Sequence, residues 1–336
     1  MAQSVLNAAF GAPAQPPNGR LMSVDAYITS QCNRRCTYCF LPTDFFSSGA
    51  RMSMDLFAGV VAWSQRHGVS EITLLGGEPS LHTSFADMVA LANREGLNVR
   101  VVTNGARSFQ RFLSSGAGGP HNLSRVAVSL DTLDETLQDQ LRGAGALRDA
   151  LATIGMLRDR GIPFDINVTA VRAVLDHLDG LIRFAVRAGC RRVNIHWPSA
   201  MGIGSELRTD QIPDKAEWEK LVRSVESRIE DQPGFFVEVE RGFLAEDEPF
   251  TACALTDFSN LQVLPDGRAY RCGLLVDQVD MASMSMVDGQ LNFTNIGFGE
   301  EFLRSSMRPT CDGCPVIQEH GRRACIYDKI RSIGSE

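Results

Sequence analysis

The chain has 336 residues, of which 44% are hydrophobic and 22% charged, with a formal net charge of −7 and a pI of about 5.5. That composition is ordinary for a globular chain, and the length suits one large domain or a domain of about 200 residues with a smaller one behind it. It excludes a nonspecific nucleic-acid binder, which needs a basic face, and no run of about 18 apolar residues is available to span a membrane.

Residues 1–20 are rich in Ala, Gln, Pro and Asn and lack the basic start and long apolar stretch of a secretory signal. They read as a flexible tail on a cytoplasmic protein. From about residue 23 to 197, short apolar runs alternate with helical patterns. The predicted strands are 23–29, 71–75, 98–103, 125–130, 164–171 and 192–197. The predicted helices lie near 53–66, 84–94, 106–113, 147–160 and 175–188. Ser53 and Ser84 are placed as N-caps, and Gly68, Gly96, Gly161 and Gly189 follow helices, where a left-handed residue is wanted. Six strands with intervening helices make parallel βα units. A closed eight-strand barrel needs more chain, so the α/β fold expected is an open, partial (β/α)6 TIM-type barrel over 21–234.

The pattern breaks after Trp197. Residues 201–213 are loop-like, 214–230 form an amphipathic helix and 235–240 a strand. Residues 261–264 and 268–272 form a hairpin about Pro265-Asp266-Gly267. A second, smaller region is expected over 235–336.

Eight of the nine cysteines fall into two groups, and only Cys190 stands apart. Clustered thiols in a chain without a secretory signal point to metal or catalysis rather than disulfides. The first group, Cys32, Cys36 and Cys39, has the spacing C-x3-C-x2-C and directly follows the first strand. Three thiolates leave the fourth iron of a 4Fe–4S cube open, and an open metal position is where a substrate or cofactor binds. Zinc sites more often use C-x2-C pairs. A zinc site or a chance grouping is the alternative.

This motif, with an aromatic residue (Tyr38) before its last cysteine, resembles the hallmark of the radical S-adenosylmethionine (SAM) superfamily, over about residues 20–200. The resemblance implies that SAM chelates the open iron and that an electron from the cluster cleaves it. The resulting 5′-deoxyadenosyl radical then takes a hydrogen atom from the substrate. Gly76-Gly77-Glu78-Pro79 resembles the family's GGEP segment, which meets the SAM amino group. Thr103-Asn104-Gly105, Ser129-Leu130-Asp131, Arg142 and Asn167 fall where the family places further contacts to SAM. Asp131 is then implied as a ribose or carboxylate contact, and Arg142 as a partner of the SAM carboxylate. All lie near the C-terminal ends of predicted strands, the face where such barrels carry their sites.

Cys253, Gly267 and Cys272, with thirteen and then four residues between them, resemble the opening of the C-terminal SPASM region and its shorter relative, twitch. Cys311, Cys314 and Cys325 complete five cysteines, against seven in the full SPASM pattern. The resemblance therefore implies a twitch-like hairpin and helix domain with one auxiliary 4Fe–4S cluster on Cys253, Cys272, Cys311 and Cys314, or zinc on the same four. Cys325 is a buried thiol, a replacement ligand or a hydrogen-atom donor. His196, ending the sixth strand, is a candidate for orienting substrate or carrying a proton, or a wall residue. Asp257 is a candidate base. Cys190 is expected to pack.

The family starts its reactions in one way and ends them in many. The short stretch before the first strand leaves no room for an N-terminal peptide-recognition domain. That favours a small polar natural-product intermediate, such as an amino sugar, cyclitol or nucleoside of antibiotic biosynthesis, for oxidation, epimerisation or decarboxylation. A maturase that modifies a ribosomally made peptide is the first alternative, and a non-enzymatic iron–sulfur or zinc protein the second. An electron donor of flavodoxin or ferredoxin type is implied.

Overall fold

The structure is a computed structural model, and it describes residues 23–199, 202–226, 234–239, 260–270, 284–287 and 290–293. The six strands expected from the sequence form as β1 (Ser23–Thr29), β2 (Glu71–Gly76), β3 (Asn98–Thr103), β4 (Arg125–Ser129), β5 (Phe164–Thr169) and β6 (Arg192–His196). Each carries apolar residues buried in the core, such as Ile72 and Leu74, Val99 and Val101, and Ile166 and Val168. Strands of a parallel sheet covered by helices are buried this way.

Helices α1 (Thr43–Ser47), α2 (Met54–Arg66), α3 (Phe85–Arg94), α4 (Arg107–Ser114), α5 (Glu135–Arg142), α6 (Ala146–Asp159), α7 (Leu178–Arg187) and α8 (Lys215–Glu226) are interspersed with them. Ser53 caps α2 by accepting from the Leu56 N–H at 3.1 Å. Ser84 sits at the N-cap of α3 without a capping side-chain bond; its own N–H donates to His82 Nδ1 at 3.0 Å. Gly68, Gly96, Gly161 and Gly189 all take positive φ at helix ends. The segment read as one helix over 175–188 begins instead as a 3-10 turn, Arg172–His177, that leads into α7.

Two helices do not show in the hydrophobic pattern. One is the short α1. The other is α5, whose buried face carries Gln138 and Arg142 beside Leu141, so polar residues conceal its period. Asp134 caps α5 through its side chain, accepting from the Leu137 N–H at 2.8 Å.

Five further strands, β7 (Phe236–Val239), β8 (Asn260–Val263), β9 (Arg268–Tyr270), β10 (Met284–Val287) and β11 (Gln290–Phe293), join the sheet, whose strand order is β11-β10-β9-β8-β1-β2-β3-β4-β5-β6-β7. Strands β7 and β8 pair in parallel with β6 and β1, so both join the barrel sheet although they lie beyond residue 235. The antiparallel strands β9, β10 and β11 extend the edge beyond β8. The sheet is open, as a partial barrel requires.

Between β8 and β9, Gly267 takes φ 88° and its N–H reaches the Leu264 carbonyl at 3.0 Å, closing the turn expected there. Side chains also hold β8 to β1. The Asp25 carboxylate accepts from Asn260 Nδ2 at 3.0 Å and from Gln262 Nε2 at 2.7 Å.

Removing that carboxylate takes the acceptor from the Asn260 amide and leaves the Gln262 amide only Asn260 Oδ1. Asp25→Ala is expected to lower stability by about 1–3 kcal/mol and to speed amide exchange of residues 260–263 while 98–103 stay protected. Unchanged protection at 260–263 would show that β8 is held by other means.

Candidate active site

The site grows from the end of β1. Thr29 leads through Ser30 and Gln31 into Cys32, at the C-terminal ends of the parallel strands. This segment packs directly on the end of β2. The Gly77 N–H donates to the Thr29 carbonyl at 2.8 Å and the Glu78 N–H to the Gln31 carbonyl at 2.7 Å. A Cβ on Gly77 would lie 2.2 Å from the Gln31 oxygen, and one on Gly76 would lie 2.3 Å from the Thr29 oxygen. The two glycines are thus required by backbone packing against the approach to the cysteine loop.

The loop from Cys32 to Cys39 is clamped from two further sides. The Thr37 N–H donates to the Leu141 carbonyl at the end of α5 at 2.9 Å, and the Gly204 N–H to the Cys39 carbonyl at 2.9 Å. Cys32 and Cys39 pack against a small apolar cluster of Tyr27, Leu41, Phe46, Leu264 and Tyr270. Burial pushes the Cys32 thiol up to about 11 and the Cys39 thiol to about 12. Cys36 is also raised by burial, and the positive charge of Arg142 beside it opposes that shift. Thiols held this way become thiolates when a metal takes the place of the proton. Among the described residues, no three Cys, His, Asp or Glu side chains come together as a single metal ion requires. Three cysteine thiols in one short loop are the donor type an iron–sulfur cluster takes.

Glu78 is fully buried. Its carboxylate accepts from Ser80 Oγ at 2.6 Å, from Thr103 Oγ1 at 3.0 Å and from the Asn104 N–H at 2.8 Å. Burial raises its pKa, and these donors oppose the rise. Its carboxyl oxygens shape the Thr103-Asn104-Gly105 turn, and Pro79 is buried next to it. Asn104 in turn faces the cysteine loop, donating from Nδ2 to Asn33 Oδ1 at 2.9 Å and lying 3.7 Å from Cys32 Sγ. Its Oδ1 is buried and has no donor among the described residues. A buried acceptor left open beside Cys32 fits a ligand group such as an amino or ribose hydroxyl of SAM.

Asp131 and Arg142 pair with each other. Arg142 Nε and Nη2 reach the two Asp131 carboxylate oxygens at 2.7 and 2.8 Å. The Tyr38 hydroxyl and the Thr169 N–H donate to the same carboxylate. Burial alone would lower the Arg142 pKa, but Asp131 more than reverses this and holds it well above the usual arginine value. The resemblance implied direct contacts of both residues to SAM. In the structure the two form one buried pair between the barrel and Tyr38 and Cys36.

Ser129 ends β4 and is half-buried. Asn167, on β5, accepts from Asn194 Nδ2 through its Oδ1 at 2.8 Å. His196 ends β6 with an exposed side chain. Trp197 is buried and meets Trp218 edge-on at 4.8 Å. Cys190 is buried at the opposite end of the strands, its Sγ 3.0 Å from the Arg192 carbonyl. Asp257, Cys253, Cys272, Cys311, Cys314 and Cys325 lie outside the described residues. The motifs did not reveal Arg34, Thr103 as a ligand of Glu78, Gln138, or the Thr169 backbone. Gln138 Oε1 accepts from the backbone N–H groups of Asp131 and Thr132.

The model of the Radical SAM superfamily matches residues 26–195, which is 170 of the 336 residues. The PqqA peptide cyclase of Rhizobium meliloti (strain 1021) is 24% identical over 309 residues, covering 87% of this chain and 82% of that protein. The GTP 3′,8-cyclase of Campylobacter fetus subsp. fetus is 28% identical over 227 residues, covering 64% and 68%. Among solved structures, Streptococcus suis SuiB bound to its precursor peptide SuiA aligns with a TM-score of 0.66 at 14% identity, over 93% of this chain and 71% of that one. SuiB bound to S-adenosylmethionine aligns at 0.63 and 15% identity, over 77% of this chain, and the alignment spans 62% of that chain. A family match over half the chain, on a barrel with the same fold as SuiB, makes this protein a member of the radical SAM superfamily.

Proposed function

We propose that this radical SAM enzyme modifies a ribosomally made peptide. One observation carries the reading: the similarity to PqqA peptide cyclase covers 87% of the chain and so runs well beyond the family domain at 26–195. The likeness to SuiB, solved with a precursor peptide, supports it at the level of fold. A small polar metabolite is the second reading, favoured by the similarity to a GTP 3′,8-cyclase.

Cys32, Cys36 and Cys39 would hold the 4Fe–4S cluster, and the Gly76–Pro79 backbone, Asn104, Ser129 and Asn167 would line SAM. When bound, cluster and SAM supply the radical that takes hydrogen from the substrate. The chain's own residues do the rest. Glu78 fixes the turn that carries Asn104. Asp131 and Tyr38 hold Arg142 in place, and its charge favours the thiolate of Cys36. His196 stands at the strand end where a substrate would arrive. Cys253, Cys272, Cys311 and Cys314 would carry an auxiliary cluster that accepts an electron, with Asp257 and Cys325 as further candidates and an electron carrier of flavodoxin or ferredoxin type as donor.

Three outcomes follow. Reconstituted without oxygen, the protein should bind about eight irons per chain if both clusters form; about four would leave only the barrel cluster. With SAM and dithionite, a ribosomally made precursor peptide should stimulate deoxyadenosine release and lose two hydrogens by mass. Stimulation by amino sugars or nucleosides alone, with the peptide inert, would overturn the peptide reading. Arg142→Met leaves Asp131 buried without its partner. It should cost about 3–5 kcal/mol in thermal melts, and a melt within error of wild type would show that the pair does not support the site.

A further inference from the structure

Within the cysteine loop, Arg34 does not extend into solvent as an arginine in a short loop ordinarily would. It is 7% exposed. Its Nη1 donates to the carbonyl of Gly143 at 2.9 Å and to that of Ala144, and its Nη2 donates to Asp149 Oδ2 at 2.6 Å. Asp149 lies in the first turn of α6, with a side chain 10% exposed, and its other oxygen accepts from Arg148 at 3.0 Å.

The receiving turn is built for this contact. Gly143 and Gly145 take φ 101° and 74°, values that an L side chain rarely adopts. Asp139 holds the turn from beneath, its carboxylate accepting from the N–H groups of Gly145 and Leu147. The Gly143 and Ala144 carbonyls are thereby presented to one guanidinium. The Thr37 N–H reaches the Leu141 carbonyl on the far side of Cys36. The middle cysteine therefore sits between two anchors on the same α5–turn–α6 corner, and that corner also carries Arg142.

We propose that Arg34 is a positioning residue: its fork onto the Gly143–Ala144 turn and Asp149 fixes the loop so that Cys36 stays against Arg142 and the three thiolates keep the spacing a cluster needs. Planar, bidentate geometry suits arginine to this task. The inference rests on Cys32, Cys36 and Cys39 being the cluster ligands.

The test uses the full chain, reconstituted without oxygen, as wild type, as Arg34→Met and as Arg34→Met/Asp149→Leu. The double variant leaves no unpaired buried charge, so it carries the test if the single variant folds poorly. Iron loss to a chelator and the electron paramagnetic resonance change on adding SAM are read beside thermal melting. A positioning role predicts that iron loss quickens about tenfold in both variants, the factor of one charge-assisted hydrogen bond. It also predicts a weakened SAM response, while the double variant melts like wild type. If the double variant regains wild-type iron retention together with wild-type melting, Arg34 serves stability alone and the proposal falls. Wild-type iron retention in Arg34→Met overturns it equally. A wild-type protein that takes up no iron overturns the ligand reading beneath it.

Discussion

Asp131 has no exposure to solvent, and four donors converge on its carboxylate, two on each oxygen: Arg142 twice, the Tyr38 hydroxyl and the Thr169 N–H. A buried carboxylate survives only when its charge and its lone pairs are matched. Meeting that requirement joins parts of the chain that are far apart in sequence. Asp131 follows β4, Thr169 ends β5, Arg142 ends α5, and Tyr38 belongs to the cysteine loop. The ion pair thus ties the loop to the barrel from one side, and Cys36 lies in its field. Arg142 also lies over the Tyr38 ring, with Cζ 5.3 Å from its centroid, so the same guanidinium packs as well as pairs.

A second buried carboxylate works in the same way on the other flank. Glu78 organises Ser80, Thr103 and Asn104. Through Asn104 it reaches the start of the loop at Cys32. Between these flanks, the glycine pair at the end of β2 lets Thr29 and Gln31 come within hydrogen-bond range, so the loop departs from the sheet at a fixed place. Both carboxylates shape the backbone around the cysteine loop.

Much of this was legible in the sequence, for identifiable reasons. Parallel strands buried on both faces are short apolar runs, so β1 to β6 stand out, and the glycines after the helices mark where each one stops. The spacing of Cys32, Cys36 and Cys39 is specific because three thiolates in one short loop have few structural uses. Most of what stayed hidden shares one cause, polar residues that are buried because of partners far along the chain. Helix α5 hides because Gln138 and Arg142 occupy its inner face. Asp149 looks like an ordinary helix-start acid, yet its partner Arg34 lies 115 residues earlier. Asp131 and Arg142 could each be picked out, but their pairing belongs to the fold and not to either motif. Strands β10 and β11 are four residues each, too short for their pattern to distinguish them from loop.

The claim on which the rest stands is that the loop of Cys32, Cys36 and Cys39 carries a cluster with one iron open to SAM. Electron paramagnetic resonance of the anaerobically reconstituted, dithionite-reduced protein, recorded with and without SAM, tests it most directly. The account predicts a 4Fe–4S signal whose g values move when SAM is added, and which is missing from Cys36→Ala. The absence of any signal that responds to SAM, or a SAM-responsive signal that persists in Cys36→Ala, would contradict it.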